Sequence, residues 1–259
     1  MNRGRIWLRS ASLANLLFLY LPIAVLILFS FNASRLSATW QGGTFRWYLV
    51  LVEDQALLAA VHNSLVVAVV STFLATVLGV SAAVGMERLP AGRRWTVEGA
   101  LLLPLVIPEL MLGVALLLFF VMIKVPLSLV TVTIGHTVWN VPIVAIIVQA
   151  RLQKLDSRWV EAALDLGATP WQAFRRVTLP LLTPAIIGAV LMAFTLSLDD
   201  FIVTFFTAGP GSTTLPLKVY SMIRTGISPE INALSAILVV ASMGLVGLSL
   251  LFQRKAAHV

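Results

Sequence analysis

Glu161-Ala-Ala-Leu-Asp-Leu-Gly-Ala-Thr-Pro-Trp-Gln-Ala-Phe-Arg-Arg-Val-Thr-Leu-Pro180 is a polar, basic, turn-bearing segment between two long apolar runs, Ser128–Ala150 before it and Pro184–Phe206 after it. Just ahead of and within it, Leu152, Leu155, Trp159, Ala162, Ala163 and Leu166 recur at helical spacing, with Arg158, Glu161 and Asp165 among them. That helix should stop at Gly167, which takes a left-handed backbone without a Cβ penalty. A second start follows at once: Thr169 as N-cap, Pro170 at the first helical position and Gln172 three after the cap, a capping box. Ala173, Phe174 and Val177 then fall on one side, Arg175 and Arg176 on another, and Pro180 is expected to end the helix before Thr183-Pro184 restarts the chain. Connections between packed helices are usually about 2–8 residues. One of about thirty residues with caps of its own reads as a docking element.

The flanking runs set the solvent. Of 259 residues, 59% are hydrophobic and 11% charged, with mean hydropathy +0.97. A soluble domain carries about 25% charged residues, and one of this length cannot hide so much apolar surface in its own core. Six stretches are long enough for a helix to cross a bilayer: Leu13–Phe31, Ser64–Met86, Gly99–Ile123, Ser128–Ala150, Pro184–Phe206 and Ala233–Phe252. The alternation of a β-barrel is missing, so the expectation is an all-α integral membrane protein of six transmembrane helices. The first run is too long for a signal peptide and ends in Phe29-Ser-Phe-Asn, so it is read as retained.

With the N-terminus in the cytoplasm, thirteen of the eighteen lysines and arginines fall on the inner side. Five, namely Arg35, Arg46, Lys124, Lys218 and Arg224, fall outside. The positive-inside rule therefore places both termini in the cytoplasm. The net charge of +7 becomes a matter of topology, and nucleic-acid binding is not required. The division expected is an N-terminal segment with the first span over 1–31, an outer loop over 32–61, and a five-helix core over 62–253 that contains the cytoplasmic loop at 151–182. Trp40, Trp47 and Tyr48 read as an interfacial aromatic belt. Ala75, Gly79 and Ala83 form a small-residue packing stripe on the second span.

Ionisable groups inside spans are costly and are functional candidates by default. Glu109 follows Pro104 and Pro108, about 16 Å along the third span, and Asp199 and Asp200 lie about 22 Å along the fifth. Adjacent helical residues point about 100° apart, so Asp199 and Asp200 cannot both face one pathway squarely; one of them caps, pairs or sits at the rim. Ion pairing with Lys218 or Arg224 is the structural alternative. The functional reading is an acidic lining for a cationic solute, with the hydroxyls of Thr195 and Ser197 on the same helix.

Glu161-Ala162-Ala163, Gly167 six after the glutamate, and Val177-Thr-Leu179-Pro180 resemble the EAA loop of ABC-importer permeases. There the pattern is E-A-A, three residues, G, nine residues, I-x-L-P; Val177 stands here for isoleucine. The resemblance implies a type I importer permease of the MetI-like fold whose loop carries a coupling helix seated on a separate ATPase subunit. Ala163, Leu164, Gly167 and Ala168 would lie at that contact, with Ala162 beside them and Glu161 anchoring the loop. Asn32-Ala-Ser-Arg35, Trp40-Gln-Gly, Arg46-Trp47-Tyr48, Phe194-Thr-Leu-Ser-Leu-Asp-Asp200, Leu215-Pro-Leu-Lys-Val-Tyr220 and Ser228-Pro-Glu-Ile-Asn-Ala-Leu234 are similar to the polyamine branch of that family. This likeness implies a spermidine or putrescine permease of the bacterial inner membrane. Its partners would be a sister permease, an ATPase dimer and a periplasmic substrate-binding protein, with Tyr220 near the outer gate. The chain has no Gly-x-x-x-x-Gly-Lys-Ser/Thr, so ATP is expected on the partner, with no cofactor or metal in this chain. The three histidines, His62, His136 and His258, show no metal spacing. A self-sufficient secondary carrier, a membrane-embedded enzyme, and a permease for another cation or organic solute are the rival readings.

Overall fold

The computed structural model describes residues 2–34, 39–226 and 229–256; Arg35, Ser228 and His258, read above, lie outside them. The helices are α1 (Asn2–Phe29), α2 (Arg46–Glu53), α3 (Gln55–Glu87), α4 (Ala91–Val106), α5 (Glu109–Met122), α6 (Leu129–Leu152), α7 (Arg158–Asp165), α8 (Pro170–Ala173), α9 (Leu179–Asp199), α10 (Ile202–Thr207), α11 (Leu215–Thr225) and α12 (Pro229–Ala256). No strand occurs among the described residues; one isolated antiparallel bridge joins Asn32 and Gly43. Four helical stretches are long and apolar enough to cross a membrane: Ala11–Phe29, Gln55–Glu87, Leu129–Leu152 and Pro170–Asp199. A fifth arises if α4 and α5, bent by 101° at their junction, form one span. The sixth expected span lies in α12, whose apolar stretch Pro229–Val240 is shorter.

The chain forms two compact units. In the first, residues 1–58 and 219–259, α12 packs on α1 and on α2. Trp47, read above as part of an interfacial belt, is instead only 3% exposed. Its indole N–H donates to the Asn32 carbonyl at 2.7 Å. The buried Asn32 side chain accepts from Gln41 N–H at 2.9 Å and donates to the Thr39 carbonyl at 2.7 Å. A buried amide with its own partners fixes this turn, and the indole is drawn in to complete it.

In the second unit, residues 59–218, α3, α6 and α9 share the core. Ala75 and Ala83 of α3, Val144 and Val148 of α6, and Leu182, Ala189 and Ala193 of α9 are fully buried together. Lipid tails give little drive for helices to associate, so close backbone approach through small residues carries the packing. The stripe behaves as its spacing implies. A Cβ on Gly79 would lie 2.8 Å from Val144 Cβ and 2.9 Å from the Val141 carbonyl oxygen.

Two sequence expectations are corrected. The third span is not one helix, because Ile107 before Pro108 is extended (φ −70°, ψ 133°) and the chain turns there; a residue preceding proline is driven out of the helical region. Nor does Pro180 end a helix. Residues Phe174–Thr178 form a π-helical turn that leads into α9, with Pro180 in its first turn. The wider turn, in which Leu179 N–H donates to the Phe174 carbonyl, carries the chain past a residue that has no N–H to offer.

Candidate functional site

The turn that bends the third span also starts α5 at Glu109, so a carboxylate sits in the first turn, the favourable end of the helix dipole. The fifth span breaks too. α9 ends at Asp199, Asp200 is extended (φ −65°, ψ 124°), and α10 begins at Ile202. Neither proline nor glycine stands at this second break. The Asp200 carboxylate accepts from Val203 N–H at 3.3 Å, Thr204 N–H at 2.9 Å and the Thr204 hydroxyl at 2.8 Å. It thereby satisfies the backbone donors that a helix start leaves open.

Its Oδ2 lies 2.9 Å from His136 Nε2. The two half-helices α5 and α10 pack together; a Cβ on Gly113 of α5 would meet the Phe206 ring at 2.7 Å. α6 backs this pair, its Gly135 so close to Val203 that a Cβ would lie 2.7 Å from Cγ1. The Thr131 hydroxyl of α6 donates to the Thr207 carbonyl at 2.7 Å.

The candidate acids take different positions. Asp200 caps and pairs, with its side chain 8% exposed. Its partner is His136 in place of the Lys218 or Arg224 considered above, because α6 runs beside the break and carries its imidazole there. Asp199 is exposed and Glu109 half-buried. Ser197, read as a lining hydroxyl, is 5% exposed and bonded to His136 Nδ1 at 2.7 Å and to Ser71 at 3.1 Å. Thr195 is exposed, its hydroxyl donating back to the Leu191 carbonyl at 2.8 Å. Tyr220 belongs to the first unit, where the Arg224 guanidinium lies 5.7 Å over its ring.

Ser197, His136 and Asp200 follow one another in the atomic order of a hydrolytic triad. All three side chains are at most 8% exposed and share a narrow gap with Asn140. His136 is the residue that sequence reading missed. Its partners lie 61 and 68 positions away, and a lone histidine on an apolar helix gives no local sign of them.

The loop between α6 and α9 carries both caps expected from its residues. α7 ends in a Schellman motif. Gly167 has φ +84°, its N–H donates to the Leu164 carbonyl at 2.9 Å, and Ala168 N–H donates to the Ala163 carbonyl at 3.0 Å. Thr169 and Gln172 form the reciprocal capping box: Gln172 N–H donates to Thr169 Oγ1 at 3.3 Å and Thr169 N–H to Gln172 Oε1 at 2.9 Å. Before α7, Arg158 clasps Asp156; its guanidinium first, then its backbone N–H, holds that exposed carboxyl below its usual value. Glu161, Ala162, Leu164 and Gly167 are exposed, Ala163 and Ala168 half-buried. Beside them Trp159, Leu166 and Trp171 are 65%, 89% and 67% exposed, an outward apolar patch on a polar loop.

Broken apolar helices around a buried polar network, with a capped helix pair projecting between two spans, define a polytopic membrane protein of the permease class. The chain belongs to the family of binding-protein-dependent transport system inner membrane components, which it matches over residues 56–256. It is 39% identical over 237 residues to the spermidine/putrescine transport system permease protein PotC of Escherichia coli (strain K12), covering 92% of this chain and 90% of that protein. It is 42% identical over 239 residues to the putrescine transport system permease protein PotI of the same strain, covering 89% and 84%. PotC of Haemophilus influenzae is 36% identical over 241 residues, covering 93% and 94%. The fold is similar to that of a bacterial ABC transporter involved in alginate import, with TM-score 0.75 at 18% identity over 98% of this chain and 97% of that one. It is also similar to the MetNI methionine ABC transporter, with TM-score 0.64 at 21% identity over 80% and 95%.

Proposed function

We propose that this chain is the permease through which an ATP-driven importer passes a polyamine, spermidine or putrescine, from the periplasm to the cytoplasm. The observation that carries this reading is identity of 36–42% to polyamine permeases along 89–93% of the chain. The site chemistry agrees with it. Asp199 and Glu109 are the accessible intramembrane acids, and a carboxylate replaces the water that an ammonium group gives up on entering a span. Asp200 is saturated by its own partners and acts through the other two.

The chain works with a sister permease, an ATPase dimer and a periplasmic binding protein. The loop meets the ATPase through Glu161, Ala162, Ala163, Leu164, Gly167 and Ala168, with the exposed Trp159, Leu166 and Trp171 around them. A helix pair whose shared turn is closed on both sides by its own hydrogen bonds is a stiff lever, and ATP-driven closure needs one. Both termini lie in the cytoplasm.

The test is uptake of radiolabelled spermidine and putrescine by the assembled transporter in proteoliposomes. Asp199→Asn and Glu109→Gln are each expected to lower uptake about tenfold or more, the scale of one lost charge-assisted contact. Omitting the ATPase should abolish it. Full transport by both acid variants, or uptake without the ATPase, overturns the reading.

A further inference from the structure

Neither proline nor glycine shapes the bend between α9 and α10; within the segment only the Asp200 carboxylate caps it. The bend is also held from outside, by one ring of α6. His136 Nδ1 lies 2.7 Å from Ser197 Oγ, in the last turn of α9. Nε2 lies 2.8 Å from Thr204 Oγ1, in α10, and 2.9 Å from Asp200 Oδ2, at the break itself. The imidazole therefore splints both sides of the discontinuity. His136 is 2% exposed and Thr204 fully buried, so water cannot substitute for either bond.

The Thr204 hydroxyl donates to the Asp200 carboxylate, which accepts only, so the proton between Asp200 and the ring belongs to Nε2. On the other side of the ring Nδ1 is bonded to the Ser197 hydroxyl, which meets the Ser71 hydroxyl of α3 at 3.1 Å. These contacts join α3, α6, α9 and α10, and buried networks of this kind are rigid when complete. Asp200 in turn is flanked by Asp199 along the chain, and α10, which it caps, packs against α5, which Glu109 opens.

We propose that His136 is a positioning residue for transport. It locks the α9–α10 break so that Asp199 and Glu109 are presented together to a cationic solute. For the substrate, though not for the lock, this rests on the polyamine reading above.

Two readouts on the assembled transporter separate these parts. In uptake assays His136→Leu should raise the KM for spermidine or putrescine about tenfold or more, with a smaller change in maximal rate. His136→Gln, whose amide offers an NH₂ donor group and a carbonyl acceptor, should recover most of that loss. Independently of any substrate, amide hydrogen exchange at Val203 and Thr204, whose N–H groups bind Asp200, should speed up about tenfold in the leucine variant. If that variant does not assemble, Ser197→Ala removes the Nδ1 partner, along with its contact to Ser71, and should shift both readouts the same way by about three- to tenfold. A wild-type KM in an assembled His136→Leu or Ser197→Ala complex, or unchanged exchange at Val203 and Thr204, overturns the proposal. Transport of neither polyamine by the wild-type complex would sink the polyamine reading instead, and the exchange rates would then decide on His136.

Discussion

Gly79 shows how little room a single position has in this fold. Its Cα faces α6 so closely that an added Cβ would lie 2.8 Å from Val144 Cβ and Cγ1 and 2.9 Å from the Val141 carbonyl oxygen. The side-chain atoms could yield, but the backbone oxygen moves only if α6 moves with it. Overpacking of this kind costs about 1–3 kcal/mol. Gly79→Ala should therefore lower the melting temperature of the purified transporter. Gly188→Ala on α9, where an added Cβ meets nothing within 4 Å, should leave it unchanged or raise it. Equal melting temperatures for the two would mean that α3 and α6 are not in contact at this point. The stripe that contains Gly79 was legible in the sequence because period-four spacing is a local signal. The role of His136 was not, because it depends on α3, α6, α9 and α10 meeting in space.

Among the elements, the loop between α6 and α9 and the broken spans differ in how far sequence alone could reach. Thr169, Pro170, Gln172 and Gly167 each act within four residues of themselves, so both caps could be read one residue at a time. The breaks depend on competition between local and tertiary terms. Pro108 ends α4 and Pro180 does not end a helix, because at Pro180 a π turn was available and at Pro108 Glu109 could start a new helix packed against α10. The break at Asp200 carries no proline or glycine, so the run Pro184–Phe206 reads as continuous, although a capping or pairing role for one of Asp199 and Asp200 follows from their adjacency. Stiffness of the loop can be tested at Gly167. A β-branched residue at its φ of +84° is strained by about 1–2 kcal/mol, enough to loosen the turn between α7 and α8 without reaching the membrane core. Gly167→Val should reduce polyamine imported per ATP hydrolysed while the complex still assembles. An unchanged ratio would mean that the turn transmits nothing.

For the whole molecule, orientation follows from where charge and burial fall. α6 is the most enclosed of the spans, with half of its most apolar window buried, and its C-terminal end feeds the basic loop. The polar network, by contrast, gathers around His136 in its N-terminal half. If the loop is cytoplasmic, that network lies toward the periplasmic side, where a solute released by a binding protein would arrive. The same orientation places Gln41 outside and Ser157 inside, and both are exposed. The chain contains no cysteine, so each position can be tagged without first clearing the background. In intact cells a membrane-impermeant maleimide should label Gln41→Cys and leave Ser157→Cys untouched until the inner membrane is opened. The reverse pattern would put the capped loop in the periplasm, out of reach of any ATPase, and would remove the physical basis for reading it as a lever.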